Sequence, residues 1–532
     1  MHPSDTPSTP VPDRRQILVI FAGLLVAMLL SSLDQMIFSS ALPTIVGELN
    51  GVDYMLWVTT AYVLAATIMM PVYGKLGDLV GRKRLFIGAL ILFLAGSVLG
   101  GLADTMAGLI TARAVQGLGG GGLMILSQAI VADVVPLRDR SRYMGIIGVV
   151  FSLSSVVGPI LGGWFAEGIG WRWAFWFNLP LGLLAVLAAW RFLPNARPSD
   201  RPRLDVWGFV AMATAVTALI FVTSFGGNTY AWGSPEIYGL SVLAILASIV
   251  FVMIERRVAE PIIPLHLFQN RNFNLSTIVG LALAVAMFGA IAYFPTYLQM
   301  VHGYGATAAG LLILPLVAGA MLSTATAGSL ISRTGRYKGV LLACPILATV
   351  GLLLLSTLTV DTSIWVIGGC LFILGAGVGL GFQNLVLVAQ SAFPAREVGT
   401  ATAAHNFFRE IGASLGAAAV GGFFTGRLTS LLVERLPDAA TASVNVDSLT
   451  PRLVRDFPDP IREPIMSAYN DALIPVFLFL TPMMLISLVL LAFVREGSLM
   501  DVPQNPATDL DSSSDEASDD PQSPSFDGRP AA

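Results

Sequence analysis

Long apolar runs and short polar connections alternate along most of the chain. The runs, divided at glycines, prolines and charged residues, predict fourteen helices of about the 20 residues that crossing a membrane requires. Their approximate limits are 17–42, 54–73, 85–103, 106–133, 143–166, 172–193, 205–225, 236–254, 273–299, 305–331, 338–358, 362–391, 399–426 and 471–494. The pattern predicts an all-α integral membrane protein.

The composition supports this interpretation. Of 532 residues, 55% are hydrophobic and 12% are charged, whereas a soluble domain carries about 25% charged residues. The first run is too long for a signal peptide and lacks a cleavage pattern, so we expect it to be retained. Cys344 and Cys370 lie in apolar runs and the four histidines lack metal-ligand spacing, so we expect neither a disulfide framework nor a metal site.

The basic residues of the connections fall on one side of the membrane. They occur at 14–15, 75–84, 138–142, 191–203, 256–271, 333–338, Arg396 and Arg495, whereas the short connections opposite contain only Arg172. The positive-inside rule predicts a multi-pass protein of the cell membrane with both termini in the cytoplasm. An even number of helices agrees with that orientation.

Three segments are expected outside the bilayer. Residues 1–16 form a cytoplasmic N-terminal segment. Residues 427–470 form the long external connection, either as short helices over the outer mouth or as a loosely ordered loop. Residues 496–532, which include the acidic sequence DLDSSSDEASDD, are expected to be a disordered cytoplasmic tail that transport does not require.

An internal repeat divides the chain. GKLGDLVGRKR at 74–84 aligns without a gap to GSLISRTGRYK at 328–338, at an offset of 254 residues. Two six-helix bundles, at 17–203 and 257–495, produce such a repeat if a helix pair at 204–256 is inserted between them. The inserted pair has no counterpart in the repeat. We therefore expect it to pack outside both bundles and to contribute little to a transport pathway.

Several motifs resemble those of the major facilitator superfamily. The sequence at 74–84 resembles its signature between helices 2 and 3, LITARAVQGLGGGG at 109–122 its helix 4 motif, and GVVFSLSSVVGPILGG at 148–163 its helix 5 antiporter motif. SSLDQMIFSSALPTI in helix 1, GWRWAFWFNLPLG at 170–182 and LDVWG at 204–208 resemble motifs of the fourteen-span drug:H⁺ antiporter family. The resemblance covers about residues 17–495 and implies the major facilitator fold.

The chain departs from the family pattern at two places. Met36, Ile37, Phe38 and Ser39 replace the usual Thr-Ile-Val-Asn after Asp34, which makes the wall near Asp34 more apolar and bulkier, so the family's drug spectrum does not carry over. Ser332 stands where the first repeat has Asp78. Only one repeat therefore holds a carboxylate at that position.

Four charged residues within the apolar runs are candidates for proton coupling. A charge in mid-membrane costs about 2.5–3.5 kcal/mol, so Asp34 should face water, another helix or a partner charge. Arg113 lies at a similar depth and can share this cost as an ion pair. Arg409 and Glu410 lie near the middle of the thirteenth helix. A purely structural pair of Asp34 with Arg113, and a hydrogen-bonded packing role for Glu410, are the alternatives.

The first repeat and a nearby acid form a candidate gate at the inner mouth. The resemblance implies that this cluster stabilises the outward-facing state, whereas a role limited to topology is the alternative. Asp78 can cap a helix end, and Arg82 and Arg84 can pair with Asp133. The candidate gating residues are Gly74, Gly77, Asp78, Gly81, Arg82, Arg84 and Asp133.

The helix 5 motif carries Gly158, Pro159, Gly162 and Gly163. Proline removes a helical hydrogen bond and glycine thins the helix surface, so we expect a kink and close packing against the opposite bundle. The resemblance implies that this motif marks exporters. Ordinary packing of membrane helices is the alternative.

Aromatic and amide residues in the same spans are candidates for lining a substrate cavity. Aromatic faces suit flat, lipophilic or cationic compounds, although most such residues in membrane spans face lipid or pack against other helices. The candidates are Phe38, Trp57, Tyr62, Gln116, Phe151, Tyr293, Gln299, Gln383, Asn384 and Phe407.

These features favour a proton-coupled exporter of drug-like amphiphiles over an enzyme. The sequence contains no GxxxxGK[ST] motif, so the proton gradient is the expected energy source and no cofactor is expected. The expected partners are small molecules, protons and the lipid bilayer, without nucleic acid, and we expect a monomer. A dedicated exporter of one endogenous metabolite, lipid or siderophore, and a non-transporting membrane sensor, are the alternatives.

Overall fold

The computed structural model describes residues 14–51, 54–194, 205–227, 229–436 and 451–496. Within these ranges, fourteen helical stretches are long and apolar enough to cross a membrane. The predicted all-α architecture and the number of spans are therefore confirmed. We call the side that carries the basic connections the inner side, and the opposite side the outer side.

In the described residues, the first half and the inserted pair contain nine helices. A π-helical turn at Phe165–Ile169 follows the fifth helix, and the sixth and seventh together form one span. The helices are α1 (Arg14–Glu48), α2 (Met55–Val80), α3 (Arg82–Gly101), α4 (Met106–Val134), α5 (Leu137–Trp164), α6 (Trp173–Trp176), α7 (Asn178–Phe192), α8 (Val206–Phe225) and α9 (Pro235–Glu255).

The second half contains the remaining helices. Two of its spans are interrupted, so that α10 continues as α11 and α12 continues as α13. The helices are α10 (Arg271–Ala292), α11 (Phe294–Val301), α12 (Ala306–Leu311), α13 (Leu314–Thr334), α14 (Lys338–Leu355), α15 (Ile364–Ser391), α16 (Val398–Arg435), α17 (Pro451–Asp456) and α18 (Asp459–Ala492).

Local chemistry explains several helix ends. The side chains of Thr105, Asp205 and Ser234 accept backbone hydrogen bonds at the starts of α4, α8 and α9, which satisfies amide groups that have no partner within the helix. Gly81, at a φ of 97°, separates α2 from α3, and Gly335, at a φ of 69°, ends α13. Glycine adopts such angles without the steric cost of a Cβ.

The helices pack as two groups. In the first, α4 lies against α2 and α3, while α1 lies against α5 and α7; in the second, α10 lies against α16, and α15 lies against α13 and α14. The groups meet along two seams, α2 with α16 and α5 with α13. These seams bring the site residues of the two halves together.

The inserted pair lies outside the two groups, as its lack of a repeat predicts. Helix α8 packs against α9, α2 and α16, and α9 is the least buried of the fourteen spans. The ring of Trp57 in α2 packs against Phe221 and Phe225 of α8, at centroid distances of 5.2 and 5.1 Å. Helix α8 is thus attached at its outer end to the first group.

The described parts of the external segment, 427–436 and 451–470, are largely helical. Helix α16 extends to Arg435 and α18 begins at Asp459, and Arg435 forms an ion pair of 2.6 Å with Asp471. Most of the predicted tail, as well as residues 1–13 and 437–450, lies outside the described residues.

Candidate functional site

The carboxylate of Asp34 lies at the centre of a buried polar cluster in the first group. Its Oδ1 atom accepts hydrogen bonds from Gln116 Nε2 at 2.7 Å and Asn178 Nδ2 at 3.0 Å, and its Oδ2 atom pairs with Arg113. Both amide groups also lie within hydrogen-bonding distance of Ser97 Oγ. Helices α1, α3, α4 and α7 therefore meet at one carboxylate.

Arg113 is held on two sides by aromatic rings. Its guanidinium carbon lies 4.3 Å from the ring centroids of both Phe38 and Tyr62, and its Nη1 atom donates to Gln116 Oε1 at 2.6 Å. Cation–π contacts in desolvated sites contribute about 2 kcal/mol. The rings thus help to compensate for removing the guanidinium from water.

The close approach of α2 and α4 depends on glycines of the helix 4 motif. A Cβ at Gly117 would overlap the backbone oxygen of Tyr62, and a Cβ at Gly120 would overlap its hydroxyl group. The Tyr62 hydroxyl also lies 3.0 Å from Ser31 Oγ of α1. The glycines therefore allow the ring of Tyr62 to reach the guanidinium of Arg113.

Asp34 and Arg113 are almost completely shielded from solvent. The exposed fractions of Asp34 and Arg113 are 0% and 1%. Removing one partner of such a pair leaves an uncompensated charge, at a cost of about 3–5 kcal/mol. In this conformation, proton exchange with either solution therefore requires a movement that opens the cluster.

Sequence reasoning missed two members of the cluster, Asn178 and Ser97. Asn178 lies in the motif GWRWAFWFNLPLG and begins α7. A polar amide in an apolar span was the available signal, because such a group needs a hydrogen-bonding partner in lipid. Ser97 carried no comparable signal, because serine also occurs at ordinary contacts between membrane helices.

Arg409 and Glu410 adopt different environments on α16. Arg409 is buried, its Nη2 atom lies 3.7 Å from Met124 Sδ of α4, and its guanidinium lies 5.4 Å from the ring centroid of Phe382. The side chain of Glu410 is 30% exposed and lies 3.5 Å from Arg409. One residue thus contacts other helices while the other is partly accessible, because adjacent residues of a helix point in directions about 100° apart.

The predicted inner gate is assembled around Asp78. Its Oδ2 atom accepts hydrogen bonds from the backbone nitrogen and hydroxyl group of Thr400, at 2.7 and 2.8 Å. Thr400 lies in the first turn of α16, where an anion also interacts favourably with the helix dipole. Asp78 therefore caps a helix of the other group.

Arg82 connects three parts of the inner gate. It pairs with Asp78 at 2.7 Å and with Asp133 of α4, and its guanidinium donates to the carbonyls of Ala129 at 2.5 Å and Ala395 at 3.3 Å. Arg84 is exposed, so the structure pairs Asp133 with Arg82 rather than with Arg84. The gate thus links the first group to the start of α16.

Gly74 allows this inner seam to close. A Cβ at Gly74 would overlap Ala403 Cβ and would lie 2.8 Å from the Gly399 carbonyl oxygen. A Cβ at Gly77 would lie 3.0 Å from Leu126. Gly74 and Gly77 therefore allow close contacts between helices, whereas Gly81 allows the turn between α2 and α3.

The second inner seam also contains polar contacts. Ser332 of α13 donates to Asp139 of α5 at 3.4 Å, and Ser141 Oγ donates to the Gly328 carbonyl at 3.1 Å. Asp139 lies in the first turn of α5. In this seam the carboxylate, Asp139, therefore lies on α5, whereas the second repeat on α13 has Ser332.

A buried amide network also joins the two groups. Asn406 Nδ2 donates to Gln128 Oε1 at 2.9 Å, and Gln390 Nε2 contacts the Gln128 carbonyl at 3.4 Å and Thr402 Oγ1 at 3.0 Å. With the two inner seams, this network closes the inner side of the molecule.

The helix 5 glycines contact a different helix from the one expected. A Cβ at Gly158 would overlap Met36 of α1, and one at Gly162 would overlap Ser40 and Ile37 of α1. The expectation of packing against the opposite bundle is therefore wrong, since α1 belongs to the same group. The hydroxyl group of Ser40 donates to the Pro159 carbonyl at 3.2 Å, and a Cβ at Gly163 would have no neighbour within 4 Å.

The candidate cavity residues lie at several separate places. Phe38, Tyr62 and Gln116 are buried around Arg113, and Trp57 packs on α8. Gln383, Asn384 and Phe407 are buried, whereas Phe151, Tyr293 and Gln299 are partly exposed. The structure does not bring these ten residues together on one surface.

Comparisons with known proteins identify the family. Residues 24–417 match the model of the Major Facilitator Superfamily. The chain belongs to this superfamily. Among its relatives, an uncharacterized MFS-type transporter of Mycobacterium tuberculosis (strain ATCC 25618 / H37Rv) is 40% identical over 491 residues, which are 92% of this chain and 71% of that protein.

Two further similarities refine this assignment. Multidrug resistance protein 3 of Bacillus subtilis (strain 168) is 33% identical over 485 residues, covering 89% of this chain and 94% of that protein. The solved structure of the proton:xylose symporter XylE superposes with a TM-score of 0.59 at 13% identity, over 92% of this chain and 98% of that one. The latter shows a common fold, and the chain is a transporter of the superfamily's fourteen-span drug efflux type.

Proposed function

We propose that this transporter exports lipophilic or cationic drug-like compounds in exchange for protons, by alternating access. It acts in the cell membrane as a monomer with both termini in the cytoplasm, so that the inner side is the cytoplasmic side. The proton gradient supplies the energy, without a cofactor.

The observation that carries this proposal is the enclosed carboxylate of Asp34. While the cluster is closed, Gln116 and Asn178 donate hydrogen bonds to this carboxylate and Arg113 forms an ion pair with it. A movement that separates these donors from Asp34 would open the carboxyl group to protons from solution. Proton binding would thus be linked to the arrangement of α1, α4 and α7.

The closed inner side supports alternating access. Asp78, Arg82 and Thr400 hold one inner seam together, and the side chain of Glu410, in the first half of α16, retains 30% exposure. We assign Glu410, with Arg409, to a second proton-sensitive position. We also assign Phe151, Tyr293, Gln299, Gln383, Asn384 and Phe407 to substrate contact during the cycle.

A dedicated exporter of one endogenous metabolite, lipid or siderophore would use the same coupling residues. Multidrug resistance protein 3 is named for resistance to many drugs, which supports the broader substrate range. Resistance profiling of a deletion strain, together with metabolite analysis of its medium, distinguishes the two functions.

The decisive experiment measures proton flux in proteoliposomes that contain a pH-sensitive dye. Addition of a panel of uncharged and cationic compounds should move protons in the direction opposite to the compound. Asp361, on an exposed outer turn, provides the control variant Asp361→Asn, which should behave like the parent protein. Absence of compound-dependent proton flux across the panel would contradict the proposal and favour a non-transporting membrane sensor.

A further inference from the structure

A cavity of about 320 Å³ lies between the outer parts of α2 and α16, and the turn between α8 and α9 forms its third wall. Five serine and threonine residues line it together with Trp232 and Tyr293, and none of the described lining residues is charged. The five are Thr59, Thr60, Thr223, Ser224 and Thr425. The volume lies within the range of small-molecule sites.

The third wall of the cavity is the turn between α8 and α9, which carries Trp232. The Gly227 nitrogen donates to the Tyr230 carbonyl at 2.8 Å, and the Tyr230 nitrogen donates to the Phe225 carbonyl at 3.0 Å. Gly227 has a φ of 78°, which glycine adopts without strain. The turn therefore places Trp232 by backbone hydrogen bonds.

The indole of Trp232 lies against the glycines of α16. A Cβ at Gly422 would lie 2.9 Å from Trp232 Nε1, while the indole retains 37% exposure. On the same helix, a Cβ at Gly421 would overlap the Tyr293 hydroxyl group. Trp232 and Tyr293, each with a polar group on its ring, thus border the cavity at the positions where α16 carries glycine.

The cavity joins the two moving parts of the transporter. Thr59 belongs to α2 of the first group, whereas Thr425 belongs to α16 of the second. The inner parts of the same two helices are joined through Asp78 and Thr400. If the inner contact opens by a tilt of these two helices about a point between their ends, their outer separation changes as well, so the width of the cavity should depend on the transport state.

We propose that this cavity binds an uncharged amphiphile with an aromatic ring and hydrogen-bonding groups, as an outer site on the export route. Indole and phenol rings stack on an arene, and the hydroxyl groups hydrogen-bond to its polar substituents. A permanent cation could contact the rings of Trp232 and Tyr293 but would find no carboxylate among the described lining residues, so an uncharged ligand is favoured. The inserted pair would thus take part in transport, contrary to the expectation from its missing repeat.

This inference rests on the proposed export function, but its test requires no gradient. Cys344 and Cys370 are buried and unpaired and are first replaced by alanine. Single cysteines then replace Thr59 on α2 and Thr223 on α8, with Ser363 on the outer turn before α15 as the control. The labelling rate with a membrane-impermeant thiol reagent is measured in nanodiscs.

The probes are chloramphenicol, an uncharged arene with hydroxyl and amide groups, and tetraphenylphosphonium, a permanent cation. Chloramphenicol at about twice its Kd should slow labelling of Thr59→Cys and Thr223→Cys about threefold, because about one third of the sites remain free. Labelling of Ser363→Cys should not change. Tetraphenylphosphonium should protect neither cavity position.

A filling variant tests the position of the site. Gly422→Leu should displace the indole of Trp232 into the cavity and abolish protection by chloramphenicol. Gly426→Leu is the matched control one turn further along α16, because a Cβ there would have no neighbour within 4 Å. Protection that persists in Gly422→Leu would overturn the assignment of the site.

The remaining outcomes separate this site from the export function. Asp34→Asn should stop export yet retain protection by chloramphenicol. In the parent protein, protection without any export would support the site and contradict the proposed function. Export without protection by chloramphenicol would overturn the site alone. Equal protection by tetraphenylphosphonium would overturn the uncharged class of ligand.

Discussion

The carboxylate of Asp78 accepts two hydrogen bonds from Thr400, a residue 322 positions away in the sequence. One bond comes from the backbone at the start of α16 and the other from the hydroxyl group. This contact makes a side chain of the first group the cap of a helix in the second. Closure of the inner side therefore depends on a helix end as well as on the surrounding ion pairs.

Asp78→Asn should slow transport far more than it weakens substrate binding. The amide cannot accept both bonds with a full negative charge, and a capping interaction of this kind contributes about 1 kcal/mol or more. With the weakened pair to Arg82, we expect turnover to fall about tenfold, which corresponds to about 1.4 kcal/mol, while Kd changes less than twofold. Asp361→Asn is the control. A large loss of binding at unchanged turnover would contradict the gating role.

Asp34→Asn should abolish uphill export while the protein remains in the membrane. The amide retains the size and polarity of the carboxyl group but cannot cycle a proton. Uphill accumulation of a fluorescent compound in inverted vesicles, compared with downhill movement, measures the effect. Export against a gradient by this variant would exclude Asp34 as the coupling residue.

The double variant Asp34→Asn/Arg113→Gln separates coupling from packing. Asp34→Asn alone leaves the buried guanidinium without its carboxylate, which should lower stability by about 3–5 kcal/mol. Removing both charges should recover most of this loss in thermal unfolding but should not recover export. If export returned together with stability, the ion pair would be a packing element only.

Tyr62→Phe should retain export, whereas Tyr62→Leu should not. Phenylalanine preserves the ring beside Arg113 and loses only the hydroxyl contact with Ser31. Leucine removes the cation–π contact, which contributes about 2 kcal/mol in a desolvated site. Thermal unfolding and export are measured together, and equal loss in both variants would indicate that the hydroxyl group, not the ring, is required.

Gly162→Ala and Gly163→Ala should differ although the positions are adjacent. A Cβ at Gly162 would overlap Ser40 and Ile37 of α1, whereas one at Gly163 would meet no atom within 4 Å. Overpacking costs about 1–3 kcal/mol, so only Gly162→Ala should lower the unfolding temperature and export rate. Similar behaviour of the two variants would mean that the contact between α1 and α5 is dispensable.

The fourteen spans could be predicted because hydropathy is a local property of each segment. The same reasoning placed Asp34 and Arg113 at similar depth, and the structure brings them into contact. Depth does not specify the direction in which a side chain points. Phe38 and Tyr62 were therefore assigned to a cavity wall, although they enclose Arg113.

Contacts between distant helices could not be predicted from a single sequence. Gly158 and Gly162 were expected against the opposite bundle, but the packing order of the helices places α1 beside them. Thr400 and Asp139 showed no motif that marks a gate, because their roles depend on which helix ends meet. The cavity beside Trp232 likewise exists only once α2, α8 and α16 are packed together.

The two inner seams differ in the kind of polar contact that they contain, and this difference has a consequence for how each side of the inner mouth opens. The seam of α2 with α16 contains the charged contacts of Asp78 and Arg82, whereas in that of α5 with α13 Ser332 donates to Asp139 and Ser141 donates to the Gly328 carbonyl. We expect Asp78→Asn to lengthen spin-label distances across the first seam and to leave those across the second unchanged. The two sides of the inner mouth could then be opened separately by substitution.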